Sequence, residues 1–362
     1  MGNNTSITEH KRHYYRELLC IGVPIIIGQL GTIILGFADT LMIGHHSTEE
    51  LAAAGLVNNI ITFILVSYMG FSYGLTPIIG KLYGMEKTDE IGQKVKNSFF
   101  ANMVVGVIFS LALIILYFNL HRIGQPEELL ALIRPYFIVN LVSVLFVGVF
   151  NTLKQFLDGI GNTKVAMWVM IMGNIVNIFG NWVLIYGVGP CPEMGLLGAG
   201  ISTLASRVLM AVAMVGIIAG TKEYREYRNN IIASRINGAD FREMNRLGWP
   251  VALQLALESG AFTLSCVMVG WLGTIPLAAH QVMITISQLF YLVLSGMAAA
   301  LAIRVSHFVG QNDFAAVRRN AYDGWRLNLL FSLCMGIPVL LLRHQIGGWF
   351  NDNVEVQQYV AL

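Results

Sequence analysis

Long runs of apolar residues alternate with short polar segments along the whole chain. A helix that crosses the hydrocarbon core of a bilayer needs about 20 mostly apolar residues. The pattern therefore predicts an all-α, polytopic membrane protein with nine full membrane helices. The predicted spans lie at roughly residues 18–43, 52–79, 98–119, 131–156, 165–187, 195–219, 247–271, 278–303 and 327–343.

Both ends of the sequence carry polar segments. The first 17 residues are polar, and the apolar run after them is too long for the core of a cleavable signal peptide, so we expect it to be the first membrane helix. The last segment, NDNVEVQQYVAL, is typical of the polar start of a tenth helix. We therefore expect a chain that stops before its last helices.

Composition and charge agree with a membrane location. Hydrophobic residues make up 55% of the chain and charged residues only 12%, against about 25% charged in soluble domains. With the N-terminus in the cytoplasm, 19 of the 23 lysines and arginines would be cytoplasmic and three would be outside. This asymmetry predicts a multi-pass protein of the plasma (inner) membrane, surrounded by lipid, and no binding to nucleic acid.

The chain divides into two related halves. Its longest polar interruption predicts an N-terminal six-helix bundle at 1–220, a cytoplasmic linker at 221–246 and an incomplete C-terminal bundle at 247–362. Residues 21–98 align without gaps to residues shifted by 226. Matching helix breakers include the pairs Gly22 and Gly248, Pro24 and Pro250, and Gly84 and Gly310.

The spacing of this repeat predicts its symmetry. The second copy begins six spans after the first, and six is even, so both copies enter the membrane from the same side. This arrangement predicts a pseudo-two-fold axis along the membrane normal, with a substrate path between two pseudo-symmetric bundles. It also predicts twelve helices in a whole protein, of which three would be missing or partial here.

Two carboxylates inside predicted spans are candidate functional residues, because ionisable groups are costly in hydrocarbon. Asp39 is the last member of a stripe of polar and small residues that also contains Gln29, Thr32 and Gly36. We expect this stripe to face the bundle interior. It could hold Na⁺ or a proton or pair with a cationic substrate, or it could cap a helix near the outer interface.

Glu258 is the second such carboxylate. It shares a helix face with Gln254, Ala261 and Ser265, and the 226-residue shift aligns it with Thr32. No lysine or arginine lies in neighbouring turns of the helix. Asp39 and Glu258 are therefore the two candidate ligands for Na⁺.

Other polar residues in the spans are accessory candidates. Three amides, Asn174, Asn177 and Asn181, share a face of the fifth span and could ligate a cation, hydrogen-bond Asp39 or simply join helices. Arg207 lies in the sixth span as a counter-ion or a snorkelling residue. His280 and Gln281 begin the eighth span, where a histidine is more often a satisfied interfacial residue than a proton carrier.

Several classes of protein are excluded by missing motifs. The sequence has no GxxxxGK[ST] or HExxH motif and no catalytic constellation, so we expect neither ATP hydrolysis nor another enzyme activity. Four dispersed cysteines predict no disulfide framework and no metal site of their own. No cofactor is expected besides Na⁺ or H⁺ as a coupling ion, and we expect a monomer.

Several segments, taken together in their order along the chain, resemble the multidrug and toxic compound extrusion (MATE) family. They are FADTLMIGH at 37–45, LAAAG at 51–55, GIGNTK at 159–164, GNIVNIFGNWVLIYG at 173–187, GPCPEMGLLGAGIST at 189–203, GWPVALQLALESG at 248–260, LAAHQV at 277–282 and VGQNDFAAVRR at 309–319. The resemblance implies twelve helices in two bundles around a central cleft, and exchange of Na⁺ or protons for small organic cations.

The resemblance also implies roles for particular residues. Asp39 resembles the essential acid of the first helix, Asn177 and Thr203 resemble polar members of the same site, and Glu258 resembles the acid of a second cation site. Asn181 stands where many members carry another acid, which leaves one formal negative charge in the first bundle. The partner acid of Glu258 would lie beyond the last residue.

These observations predict a secondary antiporter in which an organic cation competes with Na⁺ or a proton at Asp39. Three alternatives stay open. A lipid or lipid-linked oligosaccharide flippase of related fold would need basic residues in its cleft for pyrophosphate, whereas here two acids face one arginine. An inactive fragment would lack part of the second bundle, and a membrane enzyme would need a catalytic constellation.

Overall fold

The structure is a computed structural model that describes residues 2–123, 126–350 and 354–361, with side chains for residues 15–122, 126–349 and 354–361. Nearly all of these residues are helical, and no strand occurs among them, which confirms the all-α fold. The helices are α1 (Gly2–His46), α2 (Thr48–Tyr73), α3 (Leu75–Gly84), α4 (Thr88–Phe118), α5 (Glu127–Gly159), α6 (Thr163–Ile185), α7 (Gly195–Gly220), α8 (Arg225–Ala233), α9 (Gly238–Gly270), α10 (Thr274–Gly310), α11 (Phe314–Phe350) and α12 (Val354–Ala361).

Within this described part, nine helical segments are long and apolar enough to cross a membrane, and each matches one predicted span. Most are longer than predicted, and the ninth runs from 314 to 349 instead of 327 to 343. Apolar runs mark only the part of a helix in hydrocarbon, whereas the helix continues through polar turns outside it. Where a tenth helix was predicted to start, α12 covers 354–361, and residues 351–353 and 362 lie outside the described residues.

The second predicted span consists of two consecutive helices, α2 and α3. Their junction is Gly74, whose backbone N–H bonds to Phe71 O as the last turn of α2 closes. A β-carbon on Gly74 would lie 2.9 Å from the backbone nitrogen of Gly248 in α9. The junction therefore lies where the two halves of the chain approach each other backbone to backbone.

The first six spans pack around large buried side chains. Tyr68 is fully buried between α4 and α5, and its hydroxyl donates to Asn102 O over 2.7 Å. Gly106 and Gly148 line this position, and a β-carbon on Gly148 would overlap the hydroxyl. Small residues at such contacts let membrane helices approach closely.

The segment predicted as a linker is folded onto the first bundle. It contains α8, which lies against α4 at Gly92, and Lys96 Nζ donates to Ser234 O over 2.6 Å. The last part of the predicted linker, from residue 238, belongs to α9. In α9 Asp240 forms an ion pair with Lys94 of α4 over 2.6 Å.

The two halves meet on the side of the molecule that carries residues 221–237, which we call the linker face. There α3 lies against α10 so closely that a β-carbon on Gly310 would overlap Lys81 O and lie 3.0 Å from Gly84 Cα. His307 of α10 also places Nε2 2.7 Å from Gly159 O of α5. Gly84 and Gly310 are equivalent under the 226-residue shift, and equivalent residues touch each other only near a two-fold axis.

Candidate functional site

A cluster of polar side chains surrounds Asp39 inside the first bundle. Asn181 Nδ2 donates to Asp39 Oδ1 over 2.5 Å and to Asn177 Oδ1 over 3.1 Å. Asn177 Nδ2 donates in turn to Thr203 Oγ1 over 3.1 Å. Both asparagines are fully buried, whereas Asp39 and Thr203 are half-buried. The structure thus brings together four predicted site residues from α1, α6 and α7.

The amide of Asn177 also fits a second orientation. Exchanging its terminal oxygen and nitrogen places the nitrogen 3.0 Å from Asp39 Oδ1 and lets the oxygen accept a hydrogen bond from Thr203 Oγ1 over 3.1 Å. The carboxylate then has two amide donors. Such hydrogen bonds offset part of the cost of burying a carboxylate.

Small residues bring the three helices of the cluster together. A β-carbon on Gly180 of α6 would overlap the Ser202 hydroxyl of α7, which donates to Asn177 O over 2.7 Å. A β-carbon on Gly31 of α1 would lie 2.6 Å from Asn174 Nδ2 of α6. These close approaches fix the height at which Asp39 meets the two asparagines.

Arg207 of α7, whose role the sequence left open, lies in the same cluster. Its Nη1 donates to Ser143 Oγ of α5 over 2.5 Å, and its guanidinium interacts electrostatically with Asp39. Tyr136 of α5 also interacts with Asp39, and its hydroxyl donates to Asn58 Oδ1 over 2.9 Å.

The sequence reading missed the contribution of α5 to this cluster. Tyr136, Asn140 and Ser143 are all buried and are spaced by four and three residues, so they share one helix face. The same spacing identified the asparagines of α6. Applied to the span at 131–156, it would have identified this face as well.

The predicted polar stripe on α1 is wrong as a description of a bundle-facing surface. Thr32 and Gly36 are exposed, and Thr32 Oγ1 bonds only within its own helix, to Gly28 O over 3.4 Å. Gln29 Oε1 instead accepts a hydrogen bond from Ser295 of α10 over 3.4 Å. The reason is that α1 lies between α6 and α10. Gln29 and Asp39 are ten positions apart, and they face different neighbouring helices. Asn174 likewise does not reach Asp39, and its buried Nδ2 has no hydrogen-bond partner.

The predicted residues of the second half lie apart from this cluster. Glu258 of α9 is half-buried and interacts with the hydroxyl of Tyr291 of α10, while Gln254 is exposed. At the start of α10, Gln281 Nε2 donates to Cys266 Sγ over 3.0 Å, and His280 has a buried Nε2 without a hydrogen-bond partner. Among the described residues, no ion pair involves Glu258.

A second ionisable cluster lies opposite the linker face, where α1 ends. His46 Nδ1 is 2.7 Å from Glu50 Oε2 of α2, and His46 Nε2 is 2.9 Å from Glu193 Oε1 in the loop before α7. Gly195 has φ of +52°, and a β-carbon there would overlap the Glu50 carboxylate. The loop between α6 and α7 is thereby tied to the ends of α1 and α2.

Nine helices among the described residues are long and apolar enough to cross a membrane, and three of them bring the half-buried Asp39 carboxylate together with its amide donor. This is the architecture of a polytopic membrane transporter. Comparison with known proteins gives the family. The sequence profile called MatE matches residues 24–183 and 250–361, so the chain belongs to the MatE family of transporters and is not an enzyme. The two matched segments begin 226 residues apart (250 − 24), the offset of the internal repeat.

Solved structures share the fold. A MATE crystal structure in complex with MaD5 matches with a TM-score of 0.83 at 19% identity, covering 96% of this chain and 78% of that one. The eukaryotic MATE transporter AtDTX14 matches with a TM-score of 0.82 at 18% identity, covering 96% and 77%. A MOP superfamily transporter from Pyrococcus furiosus, described as having a binding pocket of reverse polarity that suggests a different function, matches with a TM-score of 0.80 at 20% identity, covering 96% and 76%.

Proposed function

We propose that this transporter is a secondary antiporter that exports small organic cations in exchange for Na⁺ or H⁺, with Asp39 as the exchange site. The observation that carries the proposal is the half-buried Asp39 carboxylate, held by Asn181 within a membrane-spanning bundle. A carboxylate is costly in such a place and marks a functional site by default. Family membership supports transport as the activity.

The proposed mechanism is competition for one negative charge. An organic cation binds when Asp39 is ionised, and a proton or Na⁺ at the same carboxylate removes that attraction. Coupling requires that the relative affinity for the two ligands differ between the two orientations of the cleft. The oxygens of Asp39, Asn181 and Thr203 are ligands of the type that hard cations prefer.

Transport by reconstituted protein tests this function. Proteoliposomes with an imposed pH or Na⁺ gradient should accumulate a fluorescent organic cation, and Asp39→Asn should reduce the rate at least about tenfold because it removes the charge for which the ligands compete. Asp89→Asn, the same chemical change at an exposed position in the first turn of α4, is the control. Equal rates for Asp39→Asn and the wild type would rule the proposal out.

We further propose that the protein lies in the plasma (inner) membrane with its linker face in the cytoplasm. The supporting observation is the excess of lysine and arginine in the segments of that face. Cys191, in the loop opposite the linker face, should then react from outside the cell with a thiol reagent that does not cross membranes. Protection of Cys191 with reaction of an Ile236→Cys variant would indicate the reverse orientation.

A further inference from the structure

A cavity of about 470 Å³ opens on the linker face, where the ends of α1, α3 and α10 meet. Its lining includes Arg16 and Glu17 of α1, Tyr83 of α3 and Arg304 of α10. Ligand pockets in proteins have volumes of about 300–1,000 Å³. The cavity is therefore large enough for a small ligand or a lipid headgroup, and it is separate from the Asp39 cluster.

The fixed charges in this cavity leave it positive. Arg304 is buried, its Nη1 lies 2.6 Å from Glu17 Oε2, and its guanidinium carbon lies 5.8 Å from the centre of the Phe308 ring. Arg16 is exposed, and no described side chain forms an ion pair with it. Two guanidiniums thus line the cavity with one carboxylate. Guanidinium groups bind phosphate through paired N–H donors, so the lining favours a ligand that carries a phosphate.

The two arginines lie at the depth of the lipid headgroups. Arg16 directly precedes the apolar run of α1, which begins at about residue 18, and Arg304 directly follows the apolar run of α10, which ends at about residue 303. Arginines at the ends of membrane helices reach the layer in which the phosphates of the bilayer lie. The cavity is therefore placed to receive a headgroup from the surrounding lipid.

An exposed apolar stripe leads from the cavity into the membrane part of α1. Cys20 lines the cavity one turn after Arg16, and Val23 and Ile27 continue the same helix face at spacings of three and four residues. Val23 is 42% exposed and Ile27 is 38% exposed. This order of a charged group, a cavity and an apolar stripe matches a phospholipid, which has its phosphate at the interface and its acyl chains below. A soluble phosphate would make no use of the stripe.

We propose that this cavity binds the headgroup of an anionic phospholipid, with its phosphate between Arg16 and Arg304. One acyl chain then lies along Val23 and Ile27. Basic pockets between membrane helices on the cytoplasmic side are binding sites for anionic headgroups, and the cytoplasmic leaflet is rich in such lipids. Because α1 belongs to the first half of the chain and α10 to the second, a bound lipid contacts both halves where they meet. The site does not depend on the role of Asp39.

Two lipids that differ only in their headgroups test the charge requirement with the full chain. Native mass spectrometry of the protein released from detergent measures the affinities for dioleoyl phosphatidylglycerol and dioleoyl phosphatidylcholine, which have the same acyl chains. We expect the wild type to bind phosphatidylglycerol at least about fivefold more tightly, as a site with one excess arginine should. Equal affinities for the two lipids would overturn the proposal.

A substitution at Arg16 separates this cavity from the general attraction of basic residues for anionic lipid. Arg16→Gln should weaken binding of phosphatidylglycerol at least about fivefold and leave phosphatidylcholine unchanged. Arg246→Gln is the control, because Arg246 is also exposed and directly precedes an apolar run, but it lies on α9 and does not line the cavity. Equal losses in the two variants, or no loss in Arg16→Gln, would contradict the proposal.

A larger side chain at Cys20 tests the cavity without a change of charge. Cys20→Phe fills part of the space and should weaken binding of phosphatidylglycerol at least about fivefold. Cys334→Phe is the same change at an exposed position of α11 and should keep the wild-type affinity. Both cysteines are exposed, so both variants should fold. Wild-type affinity in Cys20→Phe would mean that the lipid does not enter this cavity, and the proposal would be wrong.

Inorganic phosphate distinguishes the two sources of a phosphate group. Phosphatidylglycerol should raise the unfolding temperature of the wild type in detergent and not that of Arg16→Gln, because it binds only the folded site. Inorganic phosphate should raise neither temperature above that in chloride of equal ionic strength. A rise with inorganic phosphate that matches the rise with phosphatidylglycerol and disappears in Arg16→Gln would show a site for soluble phosphate, and the assignment to lipid would be overturned.

Discussion

At the scale of single residues, the amides around Asp39 decide what the carboxylate can do. Asn181 contributes a donor to Asp39 Oδ1 and, on the same amide, an unpartnered buried acceptor. An ionised aspartate at this position could not donate to Asp39 and would place two negative charges together. The asparagine therefore orients the one acid of the cluster and adds a neutral oxygen ligand beside it.

Replacement of Asn181 tests this role. Asn181→Ala should weaken binding of a fluorescent organic cation roughly tenfold, because a hydrogen bond to a charged group is worth about 1.5–3 kcal/mol. Asn174→Ala is the matched control, since Asn174 is on the same helix and makes no hydrogen bond to Asp39. Titration of the purified variants measures both affinities. Equal losses in the two variants would show that the amide acts through general packing of α6.

Residue spacing predicted this cluster only in part. The spacing of Asn174, Asn177 and Asn181 identified one face of α6, and two of these three amides reach Asp39. The spacing of residues along α6 does not tell at which height along that helix Asp39 of α1 lies. Asn174 lies at a different height and therefore does not reach Asp39. The α5 side of the cluster, with Ser143, shows the same kind of spacing, but it was missed because serine and tyrosine are common in membrane helices and carry no charge to mark them.

At the scale of helices, glycines set how closely the two halves approach. Gly310 of α10 faces the backbone of α3 at Lys81 and Gly84, with no space for a side chain. The alignment of Gly84 with Gly310 was visible in the sequence, but their mutual contact was not. A repeat predicts which residues are equivalent, and only the packing of the helices decides which equivalents touch.

A methyl group at this contact should separate the halves on the linker face. Gly310→Ala should lower the apparent unfolding temperature in detergent, because overpacking costs about 1–3 kcal/mol. Gly216→Ala on α7 is the control, since no atom outside its own helix lies within 4 Å of that position. Because alanine has a higher helix propensity than glycine, the unfolding temperature of Gly216→Ala should be equal to that of the wild type or slightly higher. An unchanged temperature for Gly310→Ala would contradict the close contact.

The His46 cluster predicts a dependence of stability on pH. Both ring nitrogens face carboxylates, and only the imidazolium has two N–H donors. The contribution of this cluster to the stability of the protein should therefore be present at about pH 6. It should be lost as the pH rises and the ring gives up a proton. At pH 6 the unfolding temperature of the wild type should be about 1–3 °C above that of His46→Gln, and at pH 8.5 the two unfolding temperatures should be equal.

The adjacent histidine is the control for this measurement. His45 Nδ1 contacts only Leu41 O within α1, at 2.8 Å. His45→Gln should show no such pH-dependent difference from the wild type in thermal unfolding. If the unfolding temperatures of His46→Gln and the wild type differ by the same amount across the pH range, the cluster stabilises the protein by packing and not by protonation.

At the scale of the whole molecule, the sequence predicted the nine spans and the relation of the halves, because hydropathy and an internal repeat are long-range patterns that single substitutions do not erase. The predicted limits of the halves stay a prediction. The docking of residues 221–237 on α4 could not be predicted, since it depends on individual backbone contacts such as Lys96 with Ser234. Polar composition alone does not separate a linker in solvent from one packed on a bundle.

The central claim is that one carboxylate is shared by an organic cation and a coupling ion. The most direct measurement is equilibrium binding of a fluorescent organic cation to purified residues 1–362 in detergent, with Na⁺ and pH varied separately. We predict that either acid or Na⁺ displaces the dye from the wild type and that Asp39→Asn abolishes this displacement, which would also identify the coupling ion. Dye that binds the wild type regardless of Na⁺ and pH, or that responds equally in Asp39→Asn, would contradict the claim.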